Sequence, residues 1–257
     1  MKRYFFLIIT VILSLNLLAQ KRPNKDRHFR GKITEDIRGN LQYENKEGIR
    51  AEFSTNVFGD KVYEDSRGNK VTYAKNIKED IFPHKFYDDR DIFKFLIEVS
   101  DGKTNRIEEY KRDIHGNIIY EEGRNFKASL AENIFEDLVY KDTRNNEIKY
   151  SKEFKSVLMQ QESRNEVGLF FSLIDRYAGQ SDFQEEYDVD IFGALKYKNN
   201  KNRTASWSED IFDNMIYKDS AGNEEKYSPE RLSRIVESYG SEKRFFISLV
   251  QRRLLRE

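Results

Sequence analysis

A chain of 257 residues with 45 Lys and Arg balanced by 45 Asp and Glu offers no basic excess. That argues against nucleic acid as a partner, because neutralising phosphates takes a net positive charge or a positive face. The absence of cysteine removes disulfides, thiol nucleophiles and thiolate metal sites, so burial alone must hold the fold. Charged residues make up 35 % of the chain, a level compatible with disorder, but aromatics make up 14 % and supply the apolar area that disordered chains lack.

In chain order, residues 1–19 place Lys2 and Arg3 before an apolar run from Tyr4 to Leu18, with the small Ala19 ahead of Gln20. This is the pattern of a secretory signal peptide. The run is interrupted by Ser14 and Asn16 and falls short of the roughly 20 apolar residues that a spanning helix needs. The expectation is an exported protein, periplasmic or extracellular, with no stable membrane anchor after signal cleavage. Residues 20–26 read as a short leader.

From residue 27 onward the text repeats. Asp36, Asp113 and Asp190 stand 77 residues apart, as do Tyr43, Tyr120 and Tyr197, then Phe58, Phe135 and Phe212, then Tyr73, Tyr150 and Tyr227. Three units follow, at 27–103, 104–180 and 181–257. A shorter step of 20 carries Gly39 onto Gly59 and Tyr43 onto Tyr63, so each unit opens with two similar phrases. Self-similarity at a fixed period indicates stacked supersecondary units.

Within a phrase, short alternating runs flank turn residues. In "KVYEDSRGNKVTY", Asp65 and Ser66 open a turn and Gly68 sits where φ > 0 is needed, while Val71 and Tyr73 share one face of the following strand. Two phrases predict a four-stranded antiparallel meander. The period then changes to 3.6: Ser228 caps a helix, Pro229 occupies its first position, Leu232, Ile235, Val236 and Tyr239 share a face, and Gly240 stops it. A second stripe carries Phe245, Phe246, Leu249, Val250 and Leu254. The middle unit has Ser163 and Glu166 as a capping box ahead of Leu169, Phe170, Leu173, Ile174 and Tyr177. In the first unit Pro83 should break the first helix, while Ile92, Phe93, Leu96 and Ile97 keep the second. The expected fold is an α+β repeat protein: three 77-residue units, each a four-stranded antiparallel meander followed by two helices, stacked in an extended array.

Chemistry is sparse. The repeated Asp residues suit turn starts, where a carboxylate accepts backbone N–H bonds, better than Ca²⁺ ligation, which needs several converging oxygens. The repeated Tyr residues suit the helix-packed face, and Trp207 falls in the slot held by Phe53 and Leu130. His28, His84 and His115 do not coincide in the 77-residue register, so no ligand cluster is indicated. No catalytic, cofactor-binding or metal-binding residue is assigned. The Tyr, Asp and Gly turn of each phrase resemble other exported hairpin repeats, such as tyrosine-aspartate shell repeats and choline-binding repeats, without the paired aromatics of a choline site.

The expected function is a non-enzymatic binding or scaffolding module whose partner is a protein or glycan of the bacterial envelope. The alternative is a carboxylate-based hydrolase of envelope polysaccharide, which needs only two suitably spaced acids. Candidate partner-binding residues are exposed positions that vary between units: Arg38, His115 and Phe192, which share one register position, and Lys61, whose counterparts are Leu138 and Met215.

Overall fold

The structure, a computed structural model, describes residues 31–83, 87–158 and 166–255. The expected signal peptide and leader lie outside these residues, as do His28, His84 and Ser163. The first stretch forms β1 (Gly31–Glu35), β2 (Leu41–Asn45), β3 (Arg50–Thr55), β4 (Lys61–Asp65) and β5 (Lys70–Tyr73), then helices α1 (Lys75–Ile81) and α2 (Asp89–Ser100). The second forms β6 (Ile107–Arg112), β7 (Ile118–Glu122), β8 (Phe126–Glu132), β9 (Leu138–Asp142) and β10 (Glu147–Tyr150), then α3 (Lys152–Leu158) and α4 (Glu166–Arg176). The third forms β11 (Gln184–Val189), β12 (Leu195–Asn199), β13 (Thr204–Glu209), β14 (Met215–Asp219) and β15 (Glu224–Tyr227), then α5 (Pro229–Tyr239) and α6 (Glu242–Leu249), which continues as a π-helical turn over Val250–Leu254.

The 15 strands are hydrogen-bonded neighbours in a single sheet whose order is the chain order. Pairs from β1 to β7 and from β9 to β15 are antiparallel, except β5–β6 and β10–β11, which are parallel. This overturns the expected stack of three units, each a four-stranded meander with two helices. The helical pairs follow runs of five strands, and successive runs join side by side in one mixed sheet. The unexpected strands are β1, β6 and β11, which were hidden by charge. β6 begins Ile-Glu-Glu-Tyr and β11 begins Gln-Glu-Glu-Tyr, and Glu is a poor strand former. The first Glu of each nevertheless lies on the buried face: Glu108 and Glu185 are 4 % exposed. Their carboxylates accept the hydroxyls of Tyr110 at 2.9 Å and Tyr197 at 3.0 Å, which offsets the cost of burying charge.

Two compact units divide the described residues. The first takes its part of Met1–Ser129 together with Val167–Ala178. Its core lines one sheet face with Tyr43, Phe53, Tyr63, Tyr73, Tyr110 and Tyr120, all buried. Phe93 of α2 packs 6.0 Å from Phe53 and 6.1 Å from Tyr63, ring centre to ring centre, and Phe82 meets Tyr73 edge-on at 5.2 Å. Helix α1 ends before Pro83, with Phe82 as its C-cap, so the proline stands beyond the helix. Helix α4 belongs to this unit and buries Val167, Phe170 and Leu173.

The second unit takes Leu130–Glu166 and Gly179–Glu257. Tyr140, Tyr150, Tyr187, Tyr197, Trp207, Tyr217 and Tyr227 are buried on its helix-covered face. Phe245 of α6 meets Trp207 edge-on at 5.6 Å, Phe246 lies 6.3 Å from Tyr217, and Phe154 of α3 lies 5.4 Å from Tyr187. Helix α5 is built as its sequence dictates: the Ser228 hydroxyl accepts the Arg231 N–H, Pro229 sits in the first turn, and Gly240 closes it in the left-handed region at φ 82°.

Candidate interaction surface: the apolar turns at one end of each unit

Apart from the turn between β7 and β8, where Glu122 ends the strand, the turns at both ends of the strands are made the same way. An Asp or Asn ends the strand, and its side-chain oxygen accepts the backbone N–H groups two and four residues on. Asp190 receives Phe192 and Ala194 at 3.0 and 2.9 Å, Asp210 receives Phe212 and Asn214 at 2.8 and 3.0 Å, and Asn133 receives Phe135 and Asp137 at 2.8 and 3.0 Å. The turn residue that follows takes positive φ, as Gly193 does at 83°, the conformation only glycine adopts without strain. In the first unit Asp36, Asn56 and Asp113 make the same bonds. The repeated acids are thus occupied by their own turns.

What differs is the side chain carried at the tip. Because antiparallel strands alternate in direction and the two parallel joins preserve it, the turns fall into two sets at opposite ends of the strands. One set of the first unit carries Ile37, Val57 with Phe58, and Ile114; in the second unit it carries Ile134 with Phe135, Ile191 with Phe192, and Ile211 with Phe212. These side chains project past the last strand residue, beyond reach of the core, and Ile191 and Phe192 keep 92 % and 88 % of their area exposed. The other set carries Lys46 and Glu47, Ser66 and Arg67, Thr143 and Arg144, Asn200 and Lys201, and Ser220 and Ala221. Turns of identical hydrogen bonding therefore accept polar tips, so nothing in the turn demands Ile or Phe. Scattered exposed apolar residues are ordinary, whereas apolar residues gathered at one end mark a contact surface.

Strand spacing of about 4.8 Å sets the second-unit tips apart. The 190–194 turn lies two strand positions from the 210–214 turn, about 10 Å. The carboxyls beneath the tips stay ionised well into acid. At Asp210 the Lys226 ammonium, 2.7 Å away, does most to hold the carboxyl below its usual range, helped by the N–H groups of Asn214 and Phe212. At Asp36 the Asn40 N–H does the same. At Asp190 burial pushes the other way and is outweighed by the Ala194 and Phe192 N–H groups.

Arg38 and His115 fall on the apolar-tipped end of the first unit and Phe192 on that of the second, each exposed. Lys61 is elsewhere in character: its ammonium bonds Asp89 at 2.6 Å and lies over the Phe53 ring at 5.7 Å, and its counterpart Leu138 is 2 % exposed. It is a packing residue rather than part of an open surface. The Ile and Val tips were missed by sequence reasoning, although the recurring Asp-Ile-Phe text was in view, because only strand direction reveals which of them share an end within each unit.

An open depression of about 510 Å³ lies on the second unit, lined by Glu186, Asp188, Lys196, Lys198, Ser206 and Lys218 among others. Burial raises the affinity of Glu186 for a proton, but Lys198 and Lys149, at 2.7 and 3.1 Å, outweigh it and keep the carboxyl below its ordinary range. A general acid for glycoside cleavage needs the opposite shift. Among the described residues no group of three or more His, Asp or Glu is placed to hold a metal ion, and no helix is long and apolar enough to cross a membrane.

No family model matches the sequence, and no curated protein matches it. Among solved structures, the chain is similar to the G-box domain of the microcephaly protein CPAP at 8 % identity, covering 77 % of this chain and 99 % of that one, with a TM-score of 0.20. A likeness of that size carries no argument about fold or function.

Proposed function

We propose that the chain is a non-enzymatic binding or scaffolding module of a bacterial envelope, exported by its N-terminal segment, and that it engages a protein partner through the Ile- and Phe-tipped turns. The observation that carries this reading is the contrast between the two ends: the same turn recurs at both, and large apolar tips occur at one. Solvating Ile and Phe side chains is unfavourable by about 1.5–3 kcal/mol each relative to burial, so a surface retaining several of them gains from being covered. The Asp and Asn caps already satisfy the turn N–H groups, so covering the tips strands few backbone donors. A protein surface suits such tips better than a glycan, whose hydroxyls need polar partners.

The test is capture from envelope extract by the full chain, set beside a variant with Ile191, Phe192, Ile211 and Phe212 changed to Ser. The expected result is a partner retained by the first and lost by the second, with both proteins unfolding at the same urea concentration. Equal capture by both would overturn the assignment of the surface.

A further inference from the structure

Twice within the chain the last strand of an antiparallel run receives a parallel newcomer, and the receiving parts are the same. At the β5–β6 seam the Asn69 side chain is held by the Asp65 carboxylate at 2.8 Å, donates to the Lys103 carbonyl at 2.9 Å and accepts the Arg106 N–H at 3.0 Å. At the β10–β11 seam Asn146 is held by Asp142 at 2.9 Å, donates to the Gln180 carbonyl at 3.0 Å and accepts the Phe183 N–H at 3.0 Å. The N–H groups of Lys70 and Ala74 reach the carbonyls of Arg106 and Tyr110, and those of Glu147 and Ser151 reach Phe183 and Tyr187. Tyr73 stacks on Tyr110, and Tyr150 on Tyr187, each at 5.1 Å. Helices α1 and α3 lie against the newcomers β6 and β11.

The edge of β15 carries these parts, and among the described residues no strand lies upon them. Asn223 is held by the Asp219 carboxylate at 3.1 and 2.9 Å, yet among the described residues nothing donates to its amide oxygen. It is half-buried, whereas Asn69 and Asn146 are 1 % exposed. Glu224 and Ser228 stand where Lys70 and Ala74 stand, and β15 is the last strand of the sheet. Tyr227 has the Arg231 guanidinium over its ring at 4.5 Å in place of a second tyrosine. Helix α5 buries none of its residues, leaving Leu232, Ile235 and Val236 half-exposed.

We propose that the β15 edge is a strand-acceptor site that takes, in parallel pairing, an extended segment of another protein carrying Glu-Glu followed by an aromatic residue. Strand addition to an open edge is a general mode of peptide recognition, and the chain's own seams specify the ligand. Both internal newcomers read Glu-Glu-Tyr, at 108–110 and 185–187. Across the second seam Lys149 pairs with Asp137 at 3.2 Å and with the newcomer's Glu186 at 3.1 Å. Lys226 occupies the place of Lys149; it has its turn acid, Asp210, at 2.7 Å, and lacks the second carboxylate. Arg231 and Arg253 add positive charge beside Tyr227 and Glu225. A second copy of this chain is the poorer occupant, since its β1 would bring Gly31, Lys32 and Ile33 in that register, setting Lys32 against Lys226. The site is separate from the apolar turns and stands whether or not they bind.

The test uses the full chain and a synthetic peptide of the sequence 180–189, Gln-Ser-Asp-Phe-Gln-Glu-Glu-Tyr-Asp-Val. Trp207, the single tryptophan, lies 5.3 Å from Tyr227 and reports binding through its emission, with calorimetry alongside. Saturable binding is expected, with none for a scrambled peptide. Asn223→Ala should weaken it about tenfold. Because that change also loosens the turn, Lys226→Glu is the second variant: it should weaken binding and regain it with a peptide in which the second Glu is replaced by Lys. No saturable signal at millimolar peptide, or affinity indifferent to the charge exchange, would overturn the proposal. So would concentration-dependent head-to-tail assembly of the chain alone in sedimentation, since a second copy would then be the occupant.

Discussion

Asp65 shows how much one side chain carries. Fully enclosed, its carboxylate receives the N–H groups of Arg67 and Asn69, the Asn69 side-chain amide and the Tyr63 hydroxyl, at 2.9, 3.1, 2.8 and 3.2 Å. Asp65→Ala strands all four donors. At about 1–3 kcal/mol for an unsatisfied buried group, the expected loss exceeds about 3 kcal/mol, read as a lower urea midpoint. The half-buried acids at the other end of the strands act through pH instead. Asp36, Asp190 and Asp210 have folded pKa values below their unfolded ones, so the stability they add is present above the unfolded value, near 3.9, and is lost as pH falls toward the folded values. Thermal scans should therefore show a melting temperature that drops below about pH 4, less steeply in Asp210→Asn. Sequence reasoning placed these acids at turn starts because Asp competes for nearby N–H groups. It had no means of finding that Lys61 is tied to Asp89, 28 residues away.

Among elements, the helices were the most legible, since Phe245, Phe246, Leu249, Val250 and Leu254 form a stripe that is buried throughout. Phe170 of α4 is fully buried, and Phe170→Ala should cost about 3–5 kcal/mol, whereas Phe192→Ala at an exposed tip should change stability by no more than about 0.5 kcal/mol. Both are measurable in one urea series. The turns hold a second, opposite prediction: Glu136 takes positive φ, 64°, where the other unit's Asn56 turn has Gly59 at 86°. Glu136→Gly should stabilise by about 1 kcal/mol, because the left-handed region is unfavourable to residues with a Cβ, less a small loss from the exposed pair with Lys152. The strands β6 and β11 were not legible. Periodicity locates an alternating apolar face, and here a carboxylate on that face is sustained by tyrosine hydroxyls from other positions, an arrangement visible only after folding.

At the scale of the whole molecule, the 77-residue period fixes which residues correspond without fixing how copies meet. Side-by-side joining and stacking are compatible with the same text, and the choice rests on Asn69 and Asn146, whose partners lie across a seam. The uneven distribution of apolar tips has a simple solution-phase signature. Changing Ile191, Phe192, Ile211 and Phe212 to Ser should make the protein elute earlier from a hydrophobic-interaction column with its unfolding midpoint unchanged; unaltered retention would mean that these tips are not presented to solvent.

The two parallel seams also bear on the order in which the chain folds. Strands within an antiparallel run meet across a turn of a few residues, and such hairpins form in about 1–10 μs. The seam contacts of Asn69 with Arg106, and of Asn146 with Phe183, instead close over 37 residues that include both helices, and the entropy of closing that loop comes before any seam bond repays it. Each run of strands is therefore expected to zip first and to wait with its last edge bare. In a chain that emerges gradually, the segment that covers the bare edge is the next one to arrive, so the interval of greatest exposure to wrong partners is set by the rate of chain delivery rather than by the rate of folding.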